Sequence, residues 1–314
     1  MIGNISVIGA GTMGHAIAGC FALYGYPVSV YESFEEVRTG CRERIKNQYD
    51  FLCQEGALES GKAEEALNDI TVYADLKEAV EHADYVIEAI PEVPELKQEM
   101  FDQLVQFCRP DTIFASNTSS IPFSKLTAKL NEEDKKRLMV CHWYNPAHLI
   151  PLVELSCFGN MPDERYQEVE DLYRSIEKQP AKVLKDIPGL LANRIQQGIA
   201  REVFSLLEMG AAEAKDIDAA LKYGPAFRYA TAGQLEVADF GGIDIWCTVG
   251  DNLLAVMDRS DKASPLLREK VQEDKLGFKS GEGFFKYPDD QKQQIQNQFN
   301  KRLLKQLQIS KNYA

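Results

Sequence analysis

No apolar run in this 314-residue chain approaches the ~20 residues that a membrane-crossing helix needs. The seven cysteines (20, 41, 53, 108, 141, 157 and 247) are odd in number and include no C-x-x-C pair. No zinc-ligand spacing is present, so no metal is expected, and the cysteines read as buried, reduced thiols of a cytoplasmic protein. Basic residues are in deficit, with 35 Lys and Arg against 48 Asp and Glu and a net charge of −13. That argues against nucleic acid or an anionic membrane as partner. A β-rich run starts at Ile5, so a signal peptide is not expected ahead of it. Repeats and low-complexity segments are lacking too, and histidine is scarce at four residues. With 45% hydrophobic and 26% charged residues, what remains is an ordinary globular composition, long enough for two domains.

The strongest positive signal is Ile5-Ser6-Val7-Ile8 running into Gly9-Ala10-Gly11-Thr12-Met13-Gly14. This is G-x-G-x-x-G between an apolar strand and a helix expected over 15–24. Gly9 permits the tight turn, Gly11 lets the backbone approach a pyrophosphate, and Gly14 allows close helix–strand contact. The helix start offers unpaired N–H groups to phosphates. A second strand, Val28–Tyr31, ends in Glu32, where a carboxylate binds both ribose hydroxyls and repels a 2′-phosphate. NAD is therefore the expected cofactor, rather than NADP. The structural alternative is a strand–turn–helix whose glycines serve only contact.

Short β-rich runs alternate with helical stretches as far as Lys185: Ile5–Ile8, Val28–Tyr31, Ile70–Val72, Tyr85–Ala89, Thr112–Ala115, Leu138–Cys141, Leu152–Leu155 and Ala181–Leu184. The alternation predicts an α/β, doubly wound, mostly parallel sheet. The polar stretch 34–67 reads as an inserted helical hairpin, broken at Gly56 and capped near Ser60. Its Arg42, Arg44, Lys46 and Lys62 form either a solvated face or a grip on an anionic substrate tail. After Asp186-Ile187-Pro188-Gly189 the spacing turns helical to the end. The expected domains are 1–186, binding NAD, and 187–314, all-helical, for substrate and dimerisation. Residues 289–308 read as an amphipathic helix with Ile295, Phe299, Leu303 and Leu307 on one face.

An enzyme that passes a hydride to nicotinamide needs a base that titrates near working pH, which favours histidine. His15 falls in the first turn of the cofactor helix, and His82 at a polar helix end. His142 follows Leu138–Cys141 at a strand's carboxyl edge, where open α/β sheets place ligands. Glu154 lies inside the apolar run 150–155, where an unpaired carboxylate would cost several kcal/mol. It is either half of a dyad with His142, a solvated side chain, or a partner of His148. Asn117-Thr118-Ser119-Ser120 reads as a helix cap or a polar substrate cluster, and Asn193 as an interface residue or a substrate ligand.

These residues together carry a resemblance that spans almost the whole chain. The glycine loop, Ala115–Ser120, His142-Trp143-Tyr144-Asn145-Pro146 with Leu152-Val153-Glu154, Pro188-Gly189…Asn193-Arg194 and Gly281–Tyr287 are similar to the L-3-hydroxyacyl-CoA dehydrogenase family. The resemblance implies His142 as acid/base and Glu154 as its orienting carboxylate. It implies that Ser119 and Asn193 position the substrate's oxygens. It places Glu92 and Lys97, with Asn117 and the Gly9–Gly14 loop (Thr12 and Met13 included), on the cofactor side. It also implies a homodimer through the helical domain. Departures bear on substrate: the acyl-CoA members usually read His-Phe-Phe-Asn-Pro and carry a Met-Lys pair before Leu-Val-Glu. Here the corresponding stretch is Ala147-His148-Leu149-Ile150-Pro151. The segment Gly224–Ala230 is more similar to the branch containing lambda-crystallin, which resembles an L-gulonate 3-dehydrogenase. In it, Arg228 is either an anchor for a free carboxylate or a structural arginine. The expected activity is NAD-dependent oxidation of a short-chain 3-hydroxyacyl-CoA. The alternatives are a free 3-hydroxy acid and a non-catalytic, crystallin-like NAD-binding protein.

Overall fold

The computed structural model describes residues 2–313, which separate into two compact units, one up to Leu191 and one from Ala192 onward. The first holds one eight-stranded sheet: β1 (Ile5–Ile8), β2 (Val28–Tyr31), β3 (Ile70–Tyr73), β4 (Tyr85–Glu88), β5 (Ile113–Ser116), β6 (Leu138–Trp143), β7 (Leu152–Ser156) and β8 (Gln179–Val183). Their spatial order is β3-β2-β1-β4-β5-β6-β7-β8. Every neighbouring pair is parallel except β6 and β7. All eight expected strands are present, with ends that shift by a residue or two. β1, β4, β5 and β6 are buried along their whole length, as apolar runs covered on both faces must be. Order reverses between β1 and β4, which opens the ligand crevice at their carboxyl ends.

The helices of this unit are α1 (Gly14–Ala22), α2 (Glu35–Thr39), α3 (Cys41–Gln54), α4 (Ser60–Asn68), α5 (Leu76–Val80), α6 (Pro94–Phe107), α7 (Phe123–Leu126), α8 (Glu132–Lys135) and α9 (Asp163–Ser175). The insertion is thus three helices, not a hairpin of two. It turns at Gly56, whose φ of 70° suits glycine. Glu59, not Ser60, occupies the N-cap of α4, and no side chain caps it. Three of the insertion's basic residues are held internally. Arg42 donates to the Ile70 carbonyl, Arg44 to the carbonyls of Ala10 (2.9 Å) and Val37 (2.6 Å), and Lys46 to Asp50 (2.6 Å). Lys62 lies over the Tyr24 ring.

The second unit contains α10 (Ala192–Glu208), α11 (Ala214–Tyr223), α12 (Pro225–Tyr229), α13 (Gln234–Gly241), α14 (Ile243–Leu253), α15 (Pro265–Gln272) and α16 (Lys292–Ser310). A 3-10 turn over Asp289–Gln291 precedes α16, and its buried residue is Leu304 rather than a member of the expected stripe. The second unit begins at Ala192. Leu190 is buried in the first unit's core, and the Leu191 N–H donates to Glu154 at 2.8 Å.

Candidate active site

The loop after β1 has the shape a dinucleotide requires. Gly9 has φ +96°, and a Cβ there would meet the Ala89 carbonyl oxygen at 2.9 Å. A Cβ on Gly14 would overlap the Gly9 backbone carbonyl oxygen at 1.7 Å, so the helix can approach the strand this closely only because residue 14 is glycine. Gly11 has nothing within 4 Å of an added Cβ, which leaves its face clear for a pyrophosphate. Thr12 is exposed and Met13 half-buried. Helix α1 begins at Gly14 with no acidic residue in its first turn, leaving its N-terminal dipole available to an anion. Glu32 is buried at the end of β2; Ala10 N–H donates to its Oε2 (2.9 Å) and Phe34 N–H to its Oε1 (3.0 Å). A carboxylate has about four acceptor sites, so both oxygens retain capacity for ribose hydroxyls. These residues fit NAD.

His15 braces the loop. Its Nδ1 pairs with the Gly11 carbonyl at 2.6 Å, which makes that nitrogen the donor and leaves Nε2 to accept from Gln48 at 2.9 Å. Burial lowers its pKa, and Arg44 adds to the effect. His15 is a neutral strut and not a base. His82 is exposed beside Glu81.

His142 and Glu154 face each other in the antiparallel register of β6 and β7. Nδ1 of His142 donates to Glu154 Oε2 at 2.9 Å, while Oε1 accepts the Leu191 N–H. Both side chains are buried. A carboxylate accepts only, so Nδ1 carries the proton and Nε2 is left as the acceptor. Tyr144 sits edge-on to the imidazole, with centroids 5.1 Å apart. Burial, with Glu154 second, pushes its pKa up to about 12, so its hydroxyl stays protonated.

His148 is not the partner of Glu154. Its Nδ1 is buried without a hydrogen-bond partner. Burial first, then the charge of Lys178, pushes its pKa down to about 4. Lys178, itself buried, donates to the carbonyls of Ala147 and Ile150 (2.9 Å) and lies 4.7 Å over the Trp143 ring. It thereby pins the loop that follows His142.

Residues 117–120 leave the carboxyl end of β5. Asn117 Oδ1 accepts the Trp143 N–H at 2.8 Å, which ties the loop to β6 beside His142. Asn117 does not cap the following helix, whose N-cap is Pro122. Glu92 faces the loop: its Oε1 accepts Thr118 Oγ1 (2.6 Å), Ser119 N–H (3.0 Å), Ser120 N–H (3.1 Å) and Ser120 Oγ (3.0 Å), with Ser119 Oγ at 3.4 Å. Lys97 is 1% exposed and paired at 2.6 Å with Glu88, which is fully buried. Glu88 and Lys178 were not singled out by the motifs. Glu88 gave the signal that Glu154 gave, a carboxylate ending an apolar strand run.

Asn193 lies in the first turn of α10 and Arg228 on α12, both in the second unit. Arg228 is exposed and makes no ion pair among the described residues. No group of His, Cys, Asp and Glu that could hold a metal ion occurs among the described residues.

The sequence profile of the 3-hydroxyacyl-CoA dehydrogenase NAD-binding domain matches residues 4–187, and that of the family's C-terminal domain matches 189–287. The chain is 32% identical to a 5-formyl-3-hydroxy-2-methylpyridine 4-carboxylate 5-dehydrogenase of Mesorhizobium japonicum, over 97% of each chain. It is 34% identical to a probable 3-hydroxybutyryl-CoA dehydrogenase of Bacillus subtilis, over 92% of this chain and 98% of that one. A crystal structure of the pyridine-carboxylate 5-dehydrogenase, described as an NAD+-dependent dismutase, superposes with a TM-score of 0.90 over 99% of each chain. That of a (S)-3-hydroxybutyryl-CoA dehydrogenase from Ralstonia eutropha does so at 0.75, covering 92% of this chain and 100% of that one, with 30% identity. The chain belongs to the 3-hydroxyacyl-CoA dehydrogenase family, as an NAD-dependent oxidoreductase acting on a CH–OH group.

Proposed function

We propose that this enzyme interconverts the hydroxyl and carbonyl forms of a small substrate bearing a free carboxylate, using the His142–Glu154 dyad. The dyad is the observation that carries the reading. NAD, when bound, takes up or returns the hydride. His142 Nε2 accepts the hydroxyl proton as the carbonyl forms and gives it back in reverse. Glu154 holds the imidazole in the Nδ1–H tautomer and stabilises the imidazolium. Ser119 and Asn193 donate to the substrate oxygens whose charge changes.

The sequence alone leaned toward a CoA thioester. Three observations favour a free acid. Arg42 and Arg44 donate to backbone carbonyls, which leaves fewer of the inserted lobe's cations for CoA phosphates. Near-complete overlap with the pyridine-carboxylate dehydrogenase points the same way, and the exposed Arg228 is suited to bind a carboxylate bidentately. The thioester is the second reading, favoured by the likeness to the Bacillus subtilis protein. The helical unit supplies the interface of a homodimer, since Leu235 and Phe240 are 84% and 86% exposed. A cytoplasmic site of action accords with seven unpaired thiols.

The test is steady-state NADH oxidation with acetoacetyl-CoA beside a panel of free 3-keto acids and a pyridine aldehyde carboxylate. Turnover of acids, with a KM raised about 10-fold or more in Arg228→Lys, supports the proposal. Turnover of the thioester alone refutes it.

A further inference from the structure

We infer that Glu88 is a positioning residue: through Lys97 it fixes the Glu92 carboxylate, and Glu92 in turn holds the loop that carries Ser119. The inference rests on the proposed role of Ser119 toward substrate.

Glu88 ends β4 and Ser116 ends β5, in register with each other and beside the crevice where strand order reverses. Both oxygens of Glu88 are occupied. Oε1 accepts from Lys97 Nζ (2.6 Å) and Ile90 N–H (2.8 Å), and Oε2 accepts from Ser116 Oγ (2.6 Å). Lys97 also donates to the Ile90 carbonyl at 3.2 Å and lies 3.4 Å from Glu92 Oε2. Two of its protons are thus directed by hydrogen bonds, while its charge faces Glu92 at ion-pair distance from a site only 1% exposed. Glu92, 37% exposed, has its other oxygen turned to Thr118, Ser119 and Ser120.

Four donors within 3.1 Å of one oxygen exceed what a neutral amide oxygen would gather, so the loop's geometry depends on the charge of Glu92. Burial alone would raise the Glu92 pKa, but the bond from Thr118 and the charge of Lys97 hold it below the ordinary carboxylate range. A fully buried ion pair is weak as a source of stability, because an apolar pair of the same volume often does as well. Its use here is directional. Without Glu88, the ammonium would draw Glu92 inward and away from the loop.

Glu88→Gln keeps the shape and can still bond Ser116 and Ile90. Hydrogen exchange would be followed at the Ser119 and Ser120 amides, both bonded to Glu92. The expected result is exchange faster by about 10-fold at these two amides, with β6 amides unchanged. Unchanged exchange at Ser119 and Ser120 overturns the inference. Should Glu88→Gln fail to fold, Glu88→Asp, which keeps the charge but shortens the reach to Lys97, decides by exchange at the same two amides. Turnover of the best panel substrate supplies a second readout. Glu88→Gln should lower kcat roughly 30-fold alone and less than about 3-fold in a Ser119→Ala background, because the two act in series. Multiplicative losses overturn the relay. Faster exchange together with full activity in Ser119→Ala leaves the relay standing and removes the substrate role of Ser119.

Discussion

The two units differ in how far each completes its own core. Up to Leu191, apolar clusters lie on both faces of the sheet, with Trp143, Tyr85, Phe101 and Phe114 almost wholly removed from water. From Ala192 onward only Ile217, Val237 and Leu304 are buried among the described apolar residues, while Phe240, Leu235 and Val256 are about four-fifths exposed or more. The first unit can therefore hold charges in fixed places: Glu154 on His142, Glu88 on Lys97, and Lys178 on two carbonyls. Such groups are costly unless fully paired, and pairing of this quality needs a rigid surround. The second unit leaves large apolar side chains in water. The paired charges that define a tautomer lie with the closed unit, and the exposed apolar side chains with the open one.

Breaking the closed unit's pairing gives the largest effect. In Glu154→Gln the amide still accepts the Leu191 N–H but presents N–H to His142 Nδ1. The proton then sits on Nε2, the wrong tautomer for a base. A loss of about 10²–10³ in kcat is expected, with circular dichroism and NAD affinity unchanged; stopped-flow and titration check this. The next effect is on pH. His148 has its folded pKa near 4, below the 6.5 of the free side chain. The unfolded chain therefore binds the extra proton first, and stability falls as pH drops from about 6.5 toward 4. Full expression is worth about 3 kcal/mol, and His148→Gln should flatten the melting temperature across that window. The smallest effect tests the open unit. Phe240→Glu should weaken self-association about 30-fold, roughly 2 kcal/mol, as read by sedimentation, and leave the first unit's melting unchanged. If it melts the first unit instead, the contrast between the units fails.

Much of the first unit was legible in the chain because doubly covered strands are near-continuous apolar runs, and each was found. The need of Glu154 for a partner was legible in its apolar run, but the residues alone left His142, His148 and solvent open, and it was the resemblance to the family that implied the pair seen at 2.9 Å. The same reasoning would have reached Glu88, but its partner Lys97 lies on α6, and a lysine on a polar helix is normally solvated. Its burial depends on tertiary surroundings that no local spacing encodes. The helix start expected near Ser60 is there, but its N-cap is Glu59, which makes no side-chain cap bond, because helix starts are set by backbone geometry. In α16 the apolar spacing was correct for a helix but did not identify the buried side, because Leu304 and not Phe299 meets the rest of the unit.

The central claim is that His142 takes the proton while hydride passes to NAD. Single-turnover formation of NADH in His142→Ala, with NAD affinity measured in the same preparation, tests it most directly. The expected result is NAD binding within about twofold of the parent and hydride transfer slower by about 10³ or more. NADH formation at the parental rate would show that another group is the base and would contradict the role assigned to the dyad.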